Sequence, residues 1–136
     1  MDDPTQHEPS DRVWLGRLLL LYLTASLLHF AHNAEYVSAY PNLPAWLSRA
    51  DVYLAWLGLA AIGAAGWLLY RSGWRLAGLL AIGAYAVFGF DGLLHYTRAP
   101  FAAHTPAMNF TISFEVAAAA LLLVGVLKLV VTRRAR

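Results

Sequence analysis

Four long apolar stretches organise the chain: Val13 to about Tyr36, Val52 to Tyr70, Leu76 to Tyr96 and Met108 to Val131. Within the first, the sixteen residues from Val13 to Leu28 hold a single charged member, Arg17. Each stretch is near the roughly 20 residues that a helix needs to cross about 30 Å of hydrocarbon. Lipid satisfies no free backbone group, and the runs are rich in leucine and alanine rather than alternating, so helices are the expected spans. The pattern predicts an all-α, integral membrane four-helix bundle with helices over 13–36, 52–70, 76–96 and 108–131. It also predicts a short disordered polar tail at 1–12 and a basic tail at 132–136. The opening MDDPTQHEPSDR is acidic and lacks the basic start of a signal peptide, so no cleavage is expected.

The connections refine this layout. RSGW at Arg71 to Trp74 reads as a tight turn that makes the second and third helices antiparallel neighbours. YPNLPAWLSRAD and TRAPFAAHTPA are longer, with two prolines each. Ser48, three residues before Asp51, fits a helix-starting capping box with Asp in the place usually held by Glu or Gln. Arg12, Arg17, Arg71, Arg75, Lys128, Arg133, Arg134 and Arg136 fall on the side of the termini and the short turn, against Arg49 and Arg98 on the other. The positive-inside rule then places both termini in the cytoplasm, in an up-down topology across a bacterial-type plasma membrane, with the long loops outside. Trp14, Trp67 and Trp74 at the inner boundary and Tyr36, Tyr40, Trp46, Tyr53 and Tyr96 at the outer one agree. Gly58, Gly63, Gly66, Gly78 and Gly83 are read as contacts that let helices approach.

Composition supports the membrane reading: 60% of the chain is apolar and only 13% charged, about half the usual charged share. The net charge of +2, with scattered basic residues, excludes a nucleic-acid footprint. With no cysteine, disulfides and thiolate chemistry are excluded, and any metal must be held by nitrogen and oxygen.

The polar residues of the spans gather at the outer end. His29, His32 and Glu35 close the first helix as H-x-x-H-x-x-E, Asp51 opens the second, and Asp91 and His95 close the third as D-x-x-x-H. His104 lies in the second outer loop. Glu115 sits seven residues into the fourth helix, about 10 Å below its outer end, and the twelve residues after it are apolar or glycine. Ionisable groups at such depth are costly and point to function. Converging from separate helices, they suit a divalent transition metal such as Cu, Zn or Fe, in a metalloenzyme or metal-handling role. His29, His32, His95 and Glu115 are the expected ligands. Asp91, Glu35 and Asn109 would hold imidazole N–H groups, and His104, Arg49 or Arg98 could pair with Glu115.

Other readings stand beside this one. Glu115 and His95 could serve without metal as general acid and base on a lipid, sterol, quinone or isoprenoid. Haem could bind between His95 and His29 or His32. The chain could be an accessory subunit of a larger membrane complex or form a homo-oligomer, its polar cluster sealing an interface. Two histidines at a helix end can also be merely interfacial, and Asp91 with His95 merely a satisfied pair. No second charged cluster lies lower in the bundle, which argues against a continuous ion pathway.

Four helices of this length, the outer loop YPNLPAW and the short basic turn YRSGWR resemble, over residues 13–131, the DoxX-like proteins and, more distantly, the EXPERA group that includes sterol isomerases. The resemblance implies the four-helix fold. The second helix reads LGLAAIGAAG, without the acidic residue that DoxX-like proteins tend to carry there.

Overall fold

The computed structural model describes residues 7–134, and every regular element among them is helical. Helix α1 runs His7–Glu35, α2 Arg49–Arg71, α3 Arg75–Phe88, α4 His95–Arg98 and α5 Pro106–Arg134. Short 3-10 turns lie at Val37–Ala39, Asp91–Leu94 and Phe101–Ala103. Four segments are long and apolar enough to cross a bilayer: Ser10–Glu35, Arg49–Arg71, Arg75–Arg98 and Pro106–Thr132. The third combines α3, the turn after it and α4.

Helix boundaries follow local chemistry. α2 begins at Arg49 because Ser48 caps it: the Asp51 N–H donates to Ser48 Oγ at 3.3 Å, and the Ser48 N–H donates back to the Asp51 carboxylate at 2.9 Å. Aspartate thus closes the box that glutamate usually closes. Gly73, at φ +97°, makes the turn into α3. Within the stretch 1–12, helix α1 begins at His7. Pro9 sits in the first turn, where its missing N–H costs no hydrogen bond. Residues 1–6 lie outside the described residues. Pro106 likewise starts α5, and the expected tail at 132–136 is helical as far as Arg134, with 135–136 outside the described residues.

The third span departs most from expectation, because its helix does not run unbroken to Tyr96 but stops at Phe88. A Cβ on Gly89 would stand 2.5 Å from Ala119 Cβ and 2.6 Å from the Tyr22 hydroxyl. The backbone therefore packs directly against α1 and α5 at that point, and the chain tightens into the 3-10 turn that carries Asp91 and Gly92. The flanking residues remain apolar, so hydropathy does not register the break.

The helices form a ring in which α1 packs on α2 and α5, and α3 packs on the same two. Leu15, Tyr22, Leu79, Ile82, Tyr85 and Leu122 fill its centre, and Phe30, Ala34 and Val52 seal α1 to α2 nearer the loops. Close approach of α2 and α3 rests on three of the expected glycines. Gly63 faces Tyr85, Gly66 faces Ile82, and Gly78 lies on the backbone of Tyr70 and Gly66. Gly58 faces open space, and Gly83 meets only Val126 at ordinary contact. Leu20, Leu54, Leu68, Leu80 and Val124 point outward, each more than half exposed, a surface suited to lipid.

Candidate functional site

Glu115 is fully buried, and neither carboxyl oxygen has a hydrogen-bond partner among the described residues. It faces His29, whose Nε2 lies 3.6 Å from Oε2. The other nitrogen of His29, Nδ1, is 3.3 Å from Thr111 Oγ1. The Thr111 hydroxyl is also 3.1 Å from the Met108 carbonyl, so its one hydrogen can go to that carbonyl or to Nδ1. Nε2 of His29 and Oε2 of Glu115 face each other just beyond hydrogen-bond distance, so a small shift of either side chain would join them. With side chains 3% and 0% exposed, a neutral carboxyl beside a neutral imidazole avoids burying two charges.

His95 stands edge to face with His29, ring centres 5.4 Å apart. Its Nε2 is 3.3 Å from the Asn33 side-chain nitrogen, while its Nδ1 and the Asn33 carbonyl oxygen are buried without partners. Which atom of the Asn33 amide faces His95 sets the tautomer of the ring, yet either orientation leaves Nδ1 of His95 bare. Gly92 brings the 3-10 turn close: a Cβ there would sit 3.4 Å from Glu115 Oε2 and 3.9 Å from His29 Nε2. Beside these groups lies a cavity of about 160 Å³, whose polar wall is His29, Asn33, Asp91 and His95 and whose apolar wall includes Phe30 and Val52. It has room for several waters or one small polar group. Asp51, also in its wall, is exposed at the mouth.

His104 is 5% exposed and meets His95 at 6.1 Å between ring centres. Its Nδ1 is 3.1 Å from the Pro100 carbonyl, an acceptor only, so Nδ1 carries hydrogen and Nε2 is a bare, buried acceptor. On its other side His104 lines an open groove with Phe101, Asn109 and Phe110.

The expected residues divide accordingly. His29, His95 and Glu115 come together, with Asp91 and His104 beside them. His32 and Glu35 do not join them. His32 turns instead to Tyr40, its Nδ1 lying 2.8 Å from the Tyr40 hydroxyl. Glu35 is exposed, taking Arg49 at 2.8 Å and the Tyr53 hydroxyl at 2.8 Å. Three-residue steps lag the helix by about 60° each, so H-x-x-H-x-x-E slides off the inner face instead of following it. Arg49 is thus taken by Glu35, Arg98 reaches the Asn42 carbonyl at 3.5 Å, and neither meets Glu115. Asn109 holds the loop rather than an imidazole, accepting from Tyr96 at 2.9 Å and donating to the Phe101 and His104 carbonyls.

Two residues of the site escaped the sequence reading, Asn33 and Thr111. Each lies four positions from a site residue, His29 and Glu115 respectively, the spacing that keeps one helical face.

Among the described residues, no three His, Asp or Glu side chains are placed to share one ion, so the expected metal set finds no support in the geometry. Haem fares no better. The rings of His29 and His95 are already in contact, and the cavity beside them is too small for a porphyrin. The Arg49 to Glu35 pair is exposed on both sides and is expected to matter little. Arg49→Ala should leave the thermal midpoint in detergent unchanged within error, and so serves as a control for the substitutions below. Comparison of the chain with protein-family models, with curated proteins and with solved structures finds no match.

Proposed function

We propose that this is an integral membrane protein whose Glu115–His29 pair, with His95, forms a metal-free acid–base site for the polar group of a lipophilic small molecule such as a sterol, quinone or isoprenoid. One observation carries the reading. The two Glu115 oxygens, Nδ1 of His95 and the Asn33 carbonyl oxygen are all buried without partners among the described residues; His95 and Asn33 line a cavity together with His29 and Gly92, the residues next to Glu115 Oε2. Buried polar groups are ordinarily satisfied, and several orphans in one place mark a site that a ligand or water completes. A carboxyl and an imidazole that face each other in an apolar surrounding can give or take a proton, which general acid–base chemistry requires.

In this reading the bundle is antiparallel, with both termini cytoplasmic and the site in the outer half. The pairing of Gly63 with Tyr85, Gly66 with Ile82 and Tyr70 with Gly78 supports the first point. The excess of Arg and Lys at the termini and the short turn supports the second. The resemblance to DoxX-like and EXPERA proteins is retained as a proposal about fold alone.

The test is retention of ligand. Protein extracted from membranes directly into lipid nanodiscs is expected to carry one apolar compound near stoichiometry by mass spectrometry. Glu115→Gln and His29→Phe should lose it, while Arg49→Ala keeps it. Identical lipid extracts from all four proteins would refute the site.

A further inference from the structure

We infer that the cavity beside His29 and His95 opens sideways through a slot bordered by Ala55 of α2, and admits from the outer leaflet the uncharged polar end of a single-chain lipid. The inference rests on the acid–base site proposed above and names the class of its ligand. The slot follows from the break after Phe88. From the short turn up to Gly63 and Tyr85, α2 and α3 are closed tightly together. Beyond Phe88 the 3-10 turn packs on α5 rather than on α2, so the outer half of α2 has no helix against it on that flank. The cavity occupies this parting, with Asp51, Val52 and Ala55 of α2 on one side and Asp91, Gly92 and His95 on the other. Asp51 and Ala55 are also exposed, so the cavity reaches the surface along that edge. They stand one helical turn apart, about 6 Å along the axis, which is room for one hydrocarbon chain.

Size and charge then select the occupant. The cavity measures about 160 Å³, whereas a pocket that encloses a whole small-molecule ligand usually starts near about 300 Å³. It therefore holds a head group, and the rest of the molecule lies outside against lipid. Gly58, the next small residue below Ala55 on α2, has nothing within 4 Å of where a Cβ would stand, so a chain leaving at Ala55 finds a bare strip of helix to lie on. The polar wall contains Asn33, Asp91 and the two imidazoles, and no lysine or arginine lines the cavity. Asn33 and Asp91 are half-buried where the imidazoles are buried, so they are the groups a head meets first. The two arginines of the outer end are engaged elsewhere, Arg49 with Glu35 and Arg98 with the Asn42 carbonyl. A phosphate or carboxylate head would enter beside the Asp91 carboxyl and find no cation, at the cost of an unpaired buried charge. A hydroxyl can donate to Asp91 and accept from the Asn33 amide.

The experiment is photolabelling of the whole protein in nanodiscs with a farnesol derivative that carries a diazirine beside its hydroxyl end, followed by peptide mapping. Label is expected on residues 51–58 and 91–95, displaced by excess farnesol but not by farnesoic acid, which has the same chain and an anionic head. Ala55→Trp should cut the yield roughly tenfold or more by filling the slot. Ala55→Leu, which adds less bulk, should give an intermediate loss, so that the effect is graded by size and not by misfolding. Ala61→Trp, also exposed on α2 but outside the cavity wall, should keep the wild-type yield. Wild-type labelling of Ala55→Trp, or an equal loss in Ala61→Trp, would overturn the slot; if Glu115→Gln still loses the label, the acid–base site stands and its ligand enters elsewhere. Displacement by farnesoic acid as effective as by farnesol would overturn the uncharged head group. Label spread evenly over all four spans, in the wild type and in Glu115→Gln alike, would overturn the slot and the site together.

Discussion

Gly78→Ala is expected to lower the stability of the bundle by about 1–3 kcal/mol, the usual range when an extra carbon is forced into a packed interior. The added methyl would fall on backbone: 2.7 Å from the Gly66 carbonyl oxygen, 2.7 Å from Tyr70 Cα, and against the Tyr70 nitrogen as well. Side chains can turn aside, but two helix backbones can only move apart. Doing so would also loosen Tyr85 from Gly63 and Ile82 from Gly66, contacts on the same α2–α3 seam. In lipid no hydrophobic force drives helices together, so close backbone approach is a main source of their attraction. Gly58→Ala supplies the contrast. Nothing lies within 4 Å of the added carbon, and an interior helical glycine replaced by alanine gains roughly 0.5–1 kcal/mol of helix propensity. Reversible unfolding in mixed micelles should therefore move in opposite directions for the two variants. Equal shifts would show that the seam between α2 and α3 is not where the bundle is held.

How much of this was legible beforehand depends on the length scale of each signal. The spans announce themselves because about twenty apolar residues in a row have few other uses. The Ser48–Asp51 cap is legible because it depends on residues three apart. The break after Phe88 is not. It coincides with the close approach of Gly89 to Tyr22 and Ala119, which lie far away in sequence, and a glycine inside an apolar run looks the same whether it ends a helix or merely packs. The site shows the same division. Depth alone singled out Glu115, and the convergence of His29 and His95 on it followed from sorting ionisable residues by end of the bundle. Neighbours on α1 are harder to sort, because an i, i+3, i+6 series drifts around the helix by about 60° at each step. The ring of His32 turns to Tyr40 and Glu35 reaches the surface. Asn33, a neutral residue with no claim to attention in the sequence, occupies the inward position instead.

Removing the charge-bearing members of the site is expected to separate function from stability. Glu115→Leu replaces a carboxyl whose two oxygens have no partner with an apolar group of similar volume, which relieves a desolvation cost. The same change leaves Nε2 of His29 facing carbon where a carboxyl stood 3.6 Å away, and a buried polar group without a polar neighbour costs about 1–3 kcal/mol. The two effects oppose each other, so the single variant should unfold close to the wild type. His29→Phe alone leaves Glu115 without the imidazole it faces and should lose roughly 1–3 kcal/mol. The double variant removes both penalties and is expected to equal or exceed the wild type, by up to about 3 kcal/mol, as when buried ion pairs elsewhere are replaced by apolar residues. Such non-additivity is the signature of two groups that interact directly. All three variants should lose the retained ligand. A stable, inert double variant would mean that the pair is kept at the expense of stability because it acts on something. If instead the double variant unfolds more readily than either single one, the pair is a structural peg of the bundle and the acid–base reading falls with it.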